Sequence, residues 1–153
     1  MIVLEKATLA DREAVNALAM EVHSLHVAWR PDIYEMPKEI YPADRFQTCL
    51  EQGGLYVARQ ENAVVGYALI KIRDYDWAGM VPRRVLFVDE ICVSKAHRRQ
   101  GVGRAMMASL RKLARAETCT DLQLGVYPQN REAVAFYEAC GFSLQHITMS
   151  AKL

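Results

Sequence analysis

The sequence predicts an α/β fold in layers, one sheet covered by helices, in a single domain over residues 1–153. Three observations carry this. Short runs rich in β-branched and aromatic residues, at 55–59, 64–72 and 85–94, alternate with stretches whose apolar residues recur at helical spacing. The apolar share is 52% and the charged share 24%, as in an ordinary globular chain able to bury a real core. No repeat, low-complexity tract or linker interrupts the pattern.

The elements follow in order. Residues 2–7 alternate enough for a first strand. Thr8 or Asp11 is a suitable cap for a helix running to Trp29, with Val15, Leu18, Val22 and Leu25 as its apolar stripe and Pro31 near its end. A loop over 32–42 leads to a second helix over 43–51, which Gly53 and Gly54 stop. Residues 55–59 and 64–72 flank a short polar turn and read as a hairpin. A polar loop over 73–84 contains Trp77, Gly79 and Pro82. The run 85–94 reads as a buried central strand, followed by a basic loop with Gly101 and Gly103. The next helix carries Ala105, Met106, Leu110, Leu113 and Ala114 at helical spacing. A strand over 122–127, a helix over 131–140 capped by Asn130 and ended by Gly141, and a final strand over 143–152 complete the order β-α-α-β-β-β-α-β-α-β.

Strand, glycine loop and helix together suit a phosphorylated ligand. The first turn of a helix leaves N–H groups unpaired and carries partial positive charge. Gly101 and Gly103 lack a Cβ, which lets an anion approach the backbone, and Arg98, Arg99 and Arg104 add charge. The pattern Arg98-x-x-Gly101-x-Gly103 is not a P-loop, because no Lys-Ser/Thr pair follows. It is not the dinucleotide fingerprint, because position 106 is Met.

The pattern does resemble the Arg/Gln-x-x-Gly-x-Gly/Ala signature of the GNAT superfamily of acetyl-CoA-dependent N-acetyltransferases. A second stretch, Asn130-x-x-Ala133-x-x-Phe136-Tyr137-x-x-x-Gly141-Phe142, resembles that family's other motif. Two ordered motifs at compatible spacing are more specific than either alone, and with the amino-terminal pattern the resemblance spans nearly the whole chain. It implies the GNAT fold: a single mixed, mostly antiparallel sheet flanked by helices, with a central strand pair that splays apart.

The resemblance also implies roles. Ile91, Cys92 and Val93 would offer strand-edge backbone to the pantetheine arm, and an N–H near Cys92 would polarise the thioester carbonyl. The loop Arg98, Arg99, Gln100, Gly101, Val102, Gly103 and Arg104 would hold the pyrophosphate. Asn130, Ala133 and Tyr137 would also border the coenzyme, and Tyr137 would protonate the departing thiolate. Glu90, or its neighbour Asp89, would take the amine's proton, or no dedicated base would act and the amine would lose its proton to solvent. In a regular strand only one of these two acids faces the cleft, and either serves equally well as an ion-pair partner for Arg83 or Arg84. His26, Trp29, Tyr34 and Trp77 fall in the regions that border the acceptor in that family. Cys92 lies near the implied thioester, although a strand cysteine is usually inert packing.

The implied reaction moves an acetyl group from acetyl-CoA to a primary amine, by direct attack in a ternary complex. The long segments 32–41 and 74–82 favour a small amine. Acetylation of a protein amino terminus or lysine, and a non-catalytic acyl-CoA sensor, are the alternatives. Net charge is +1, so no nucleic-acid or membrane partner is expected from charge. No leader-like segment or membrane-length apolar run occurs, and a cytoplasmic protein is expected. Cys49, Cys92, Cys119 and Cys140 form no C-x-x-C pair, and His23 and His26 lack a third ligand, so no metal is expected. A homodimer is compatible with the family.

Overall fold

The computed structural model describes residues 1–153. Five strands form one sheet: β1 (Ile2–Lys6), β2 (Leu55–Gln60), β3 (Ala63–Tyr75), β4 (Arg83–Val93) and β5 (Asp121–Leu124), in the order β1-β2-β3-β4-β5. The first three pairings are antiparallel and β4–β5 is parallel. Parallel neighbours need a crossover, which α3 (Val102–Ala116) supplies. The other helices are α1 (Arg12–Trp29), α2 (Ala43–Glu51) and α4 (Arg131–Ala139). No helix is long and apolar enough to cross a membrane.

The alternation of β3 and β4 divides the core in two. On one face Val57, Tyr67, Leu69 and Cys92 meet Val15 and Leu18 of α1 and Phe46 of α2. On the other, Val65, Ala68, Ile70, Leu86 and Val88 meet Val102, Met106, Met107 and Leu110 of α3. Burying side chains of this kind contributes roughly 1.5–3 kcal/mol each before entropy is counted. The α1 stripe fades along the helix: Val15 and Leu18 are buried, but Leu25 is 37% exposed. Beyond Val22 that helix presents His23, His26 and Trp29 to an aromatic cluster instead.

Four boundaries depart from expectation. β3 and β4 extend into the anticipated 73–84 loop, because Arg84 pairs with Asp74 at 3.0 Å and Arg83 lies over the Tyr75 ring. α3 begins at Val102, whose side chain the core buries. β5 stops at Leu124, three residues early. The final strand over 143–152 does not form. Its apolar residues Leu144, Ile147 and Met149 break the two-residue alternation that would bury one face, and all three are exposed.

Candidate active site

The site begins at an irregularity in β4. Leu69 pairs with Glu90 and Ile70 with Val88, so Asp89 is the extra residue of a β-bulge. The bulge overrides strict alternation and turns both acids toward the α1/α2 face. Glu90 Oε2 accepts hydrogen bonds from Tyr41 Oη and Tyr67 Oη, both at 2.8 Å, and Arg45 donates to Oε1 at 3.1 Å. Burial first, then the Glu90 charge, pushes both tyrosine hydroxyls well above the ordinary phenol range, so they remain donors. Asp89 pairs with Lys71 at 2.6 Å and Arg73 at 3.3 Å, not with Arg83 or Arg84. Arg73 itself stacks on Phe87, 3.7 Å from the ring centre.

The strands part just beyond the bulge. β4 and β5 are paired only from Val85↔Asp121 to Val88↔Leu124, so residues 89–93 have no β5 partner. Ser94 donates its N–H to Val65 on β3 at 2.8 Å. The two-residue rhythm of the ladder then turns the Cys92 N–H toward β3 as well, and the Ile91 and Val93 N–H groups into the gap. Cys92 places its side chain on the α1 face, with Sγ 3.6 Å from the Leu18 carbonyl. Burial pushes its thiol up to about 12, so it is a packing residue with almost no thiolate near neutrality.

The glycine loop follows at the head of α3. Gly101 has φ +85°, which an L side chain adopts at a cost, and open space around the position of its missing Cβ. Gly103 serves a different purpose: a Cβ there would lie 3.1 Å from Phe136 Cζ, so its absence seats α4 on the first turn of α3. Arg99 and Arg104 are exposed and carry no ion-pair partner. Arg98 turns away, bonding the Val93 carbonyl at 3.2 Å and Glu21 at 3.1 Å. Gln100 bonds back to the Ala96 carbonyl. Open first-turn N–H groups, an unobstructed glycine and two unpaired guanidiniums fit the pyrophosphate of coenzyme A. No group of three or more His, Cys, Asp or Glu side chains is placed to hold a metal ion.

α4 sets the position of Tyr137 through its two ends. The Asn130 Oδ1 accepts the Ala133 N–H at 3.2 Å and caps the start. At the other end Gly141 has φ +84°, Phe142 N–H bonds the Tyr137 carbonyl at 3.0 Å, and Gly141 N–H bonds that of Glu138 at 2.8 Å. This Schellman turn brings Phe142 back onto Tyr137, with ring centres 5.8 Å apart. The Tyr137 hydroxyl has no protein hydrogen-bond partner. Burial, aided by the Cys140 and Cys92 thiols, pushes its pKa up to about 12.

On the α1 side, three of the four anticipated acceptor residues converge. The His26 ring lies 5.8 Å from Trp29 and 5.4 Å from Tyr34. Trp77 is elsewhere: it is 56% exposed at the tip beyond the Tyr75↔Arg83 pair. Asp89 lies six positions along β4 from Arg83, a distance of roughly 20 Å. The 74–82 segment therefore does not close this site, which leaves only the 32–41 segment beside it. Tyr127 joins the three instead, 5.7 Å from His26 and hydrogen-bonded to Tyr34 at 2.6 Å. Burial and then the neighbouring His23 hold the His26 pKa below its ordinary value, against the pull of Glu90.

Residues 20–142 match the model of the acetyltransferase (GNAT) family. The chain belongs to the GNAT family. It is 30% identical over 82 residues to the thialysine N-epsilon-acetyltransferase of Bos taurus, covering 54% of this chain and 46% of that protein. The chain thus matches about half the length of this curated relative. The structure of a tetramutant of BH1408 from Bacillus halodurans superposes with TM-score 0.91, at 25% identity and 99% coverage of both chains. That of the aminoglycoside N-acetyltransferase AAC(6')-Iy with CoA gives TM-score 0.69 at 16% identity, over 100% of this chain and 95% of the other, and shares the fold.

Within this GNAT chain, Tyr67, Arg45 and Tyr127 are the candidate-site residues that sequence reading missed, whereas Tyr41 closes the 32–41 segment already expected beside the acceptor. Tyr67 had a weak signal, being a phenol inside an otherwise apolar strand, where a buried hydroxyl needs a partner. Arg45 and Tyr127 had none, because their partners lie 45 and 93 residues away in the chain.

Proposed function

We propose that this chain transfers an acetyl group from acetyl-CoA to a primary amine of a small molecule, by direct attack within a ternary complex. The observation that carries the reading is one juxtaposition. The strand edge freed at residues 89–93 lies between a glycine-headed helix with two unpaired arginines and a half-buried tyrosine whose hydroxyl is unengaged. When bound, acetyl-CoA supplies an activated thioester.

The residues divide the work. Arg99, Arg104 and the first-turn N–H groups of α3, from Val102, Gly103 and Arg104, hold the pyrophosphate, with Gly101 leaving room and Gln100 and Arg98 bracing the loop. The outward N–H groups of Ile91 and Val93, on either side of Cys92, bind the pantetheine arm and donate to the thioester carbonyl as negative charge develops on it. Tyr137 keeps its proton at neutral pH and gives it to the leaving sulfur. Asn130 and Ala133 set the helix that carries Tyr137.

Glu90 draws the ammonium in and takes its proton, directly or through water. Asp89 is the weaker candidate, because two cations, Lys71 and Arg73, pair with it, whereas Glu90 has Arg45 alone. The names of the bovine thialysine enzyme and of the aminoglycoside enzyme support amines on small molecules as the acceptor class.

The test is acetyl-CoA binding by calorimetry, then thiol release with polyamines, amino acids, aminoglycosides and peptides. Binding with release for a small amine is expected. Release with peptides alone would move the reading to protein acetylation, and binding without release to a sensor. Absence of binding would overturn it.

A further inference from the structure

Five aromatic side chains gather outside both hydrophobic clusters. His23, His26, Trp29, Tyr34 and Tyr127 belong to neither core, yet the His26 ring lies within 6.3 Å of each of the others, centre to centre. All five are half-buried. Rings that neither fill a core nor lie free in water need another reason to assemble.

Their position supplies one. Tyr127 sits three residues beyond Leu124, where β5 leaves β4, and Tyr34 sits in the loop after α1. The bond between their hydroxyls joins these two loops across the end of the splay. Each tyrosine is anchored by its own backbone: Tyr34 N–H bonds the Arg30 carbonyl at 2.9 Å, and the Tyr127 carbonyl accepts from Asn130 N–H at 2.9 Å. Arg30 and Asp32 form a two-pronged ion pair, at 2.9 and 2.8 Å, that braces the first loop. Two held loops and one hydroxyl pair between them make a bar across an opening. Three of the cluster's rings, His23, His26 and Trp29, stand on α1, which packs on the same sheet face as Tyr41 and Tyr67, the partners of Glu90. The bar therefore stands on the face toward which the site's acids point, opposite the face that α3 covers.

We propose that the Tyr34–Tyr127 hydrogen bond is a size filter for the amine acceptor. With His26 and Trp29 it walls the approach to Glu90, so that a slender alkylammonium passes along the ring faces and a branched or ring-bearing amine is turned away. The inference rests on the acetyl-transfer reading above and adds to it which amines are accepted.

Tyr34→Phe and Tyr127→Phe test it, because each keeps the ring and removes only the bond. Steady-state kcat/KM is measured for straight-chain primary amines, for branched amines and for cyclohexyl-bearing amines, together with the KM for acetyl-CoA. The wild-type protein should prefer the slender amines. Each variant should raise the bulky-to-slender ratio about fivefold, the worth of one neutral hydrogen bond, with the acetyl-CoA KM unmoved. The double variant should add nothing further, since either change alone breaks the same bond. An unchanged ranking in active variants, or effects of the two changes that multiply, would remove the filter and leave acetyl transfer standing. A wild-type protein that acetylates no amine would remove both.

Discussion

Tyr137→Phe deletes one oxygen and leaves the ring packed against Phe136 and Phe142, at 5.4 and 5.8 Å between centres. Because no protein group bonds the hydroxyl, its loss strands no buried partner, and stability should change by less than about 1 kcal/mol. The chemical cost is larger. A positioned proton donor contributes roughly 10²–10⁴-fold, or about 3–5 kcal/mol of barrier. Thiol release at saturating substrates should show that drop in kcat, while calorimetry finds acetyl-CoA affinity nearly unchanged.

The pH dependence has a definite sign. Burial raises this phenol to about 12 in the folded protein. In the unfolded chain it ionises near pH 10, so its contribution to stability is constant below about 10 and is lost as pH rises toward the folded value. Tyr137 therefore stays protonated through neutrality, and Tyr137→Phe should weaken this alkaline loss of stability. A kcat within threefold of wild type, in a single-turnover experiment that isolates chemistry, would refute the acid role.

Replacing both Arg99 and Arg104 by alanine should weaken acetyl-CoA binding at least about tenfold and flatten its salt dependence, read by calorimetry from low to high salt. Arg98→Ala instead breaks the pair with Glu21 and should lower thermal stability by about 1 kcal/mol or less, with a smaller change in that salt slope. Gly141→Ala forces a side chain onto φ +84° and should cost about 1 kcal/mol; kcat should fall more than coenzyme affinity, because the turn seats Phe142 on Tyr137. Cys92, raised to about 12, should resist iodoacetamide at pH 8 in the folded protein, and Cys92→Ala should keep transfer activity. Mass spectrometry detecting an acetyl group on Cys92 during turnover would contradict that.

Local chemistry accounts for what was legible in the chain. The Gly101–Gly103 loop, the Asn130 cap and the Gly141 stop are interactions among residues a few positions apart, so their spacing in sequence is their geometry. Helical and alternating periodicity likewise located β1 to β4 and all four helices, within a few residues at their ends. The placing of Tyr137 and the form of the Gly101–Gly103 loop follow from these short-range rules.

What stayed hidden depends on register and on distant partners. One inserted residue in the β3–β4 ladder put Asp89 and Glu90 on the same face, where alternation allowed only one. The same ladder decided that Ile91 and Val93, rather than Cys92, direct N–H groups into the splay. Strand length carried Trp77 away from the His26 cluster, and folding brought Tyr127 to Tyr34. The sequence by itself thus determined the elements, the family and the residues whose partners are near in the chain. Tertiary structure alone decided the facing of the acids and the make-up of the aromatic cluster, because both follow from pairings between strands and loops that no local spacing encodes.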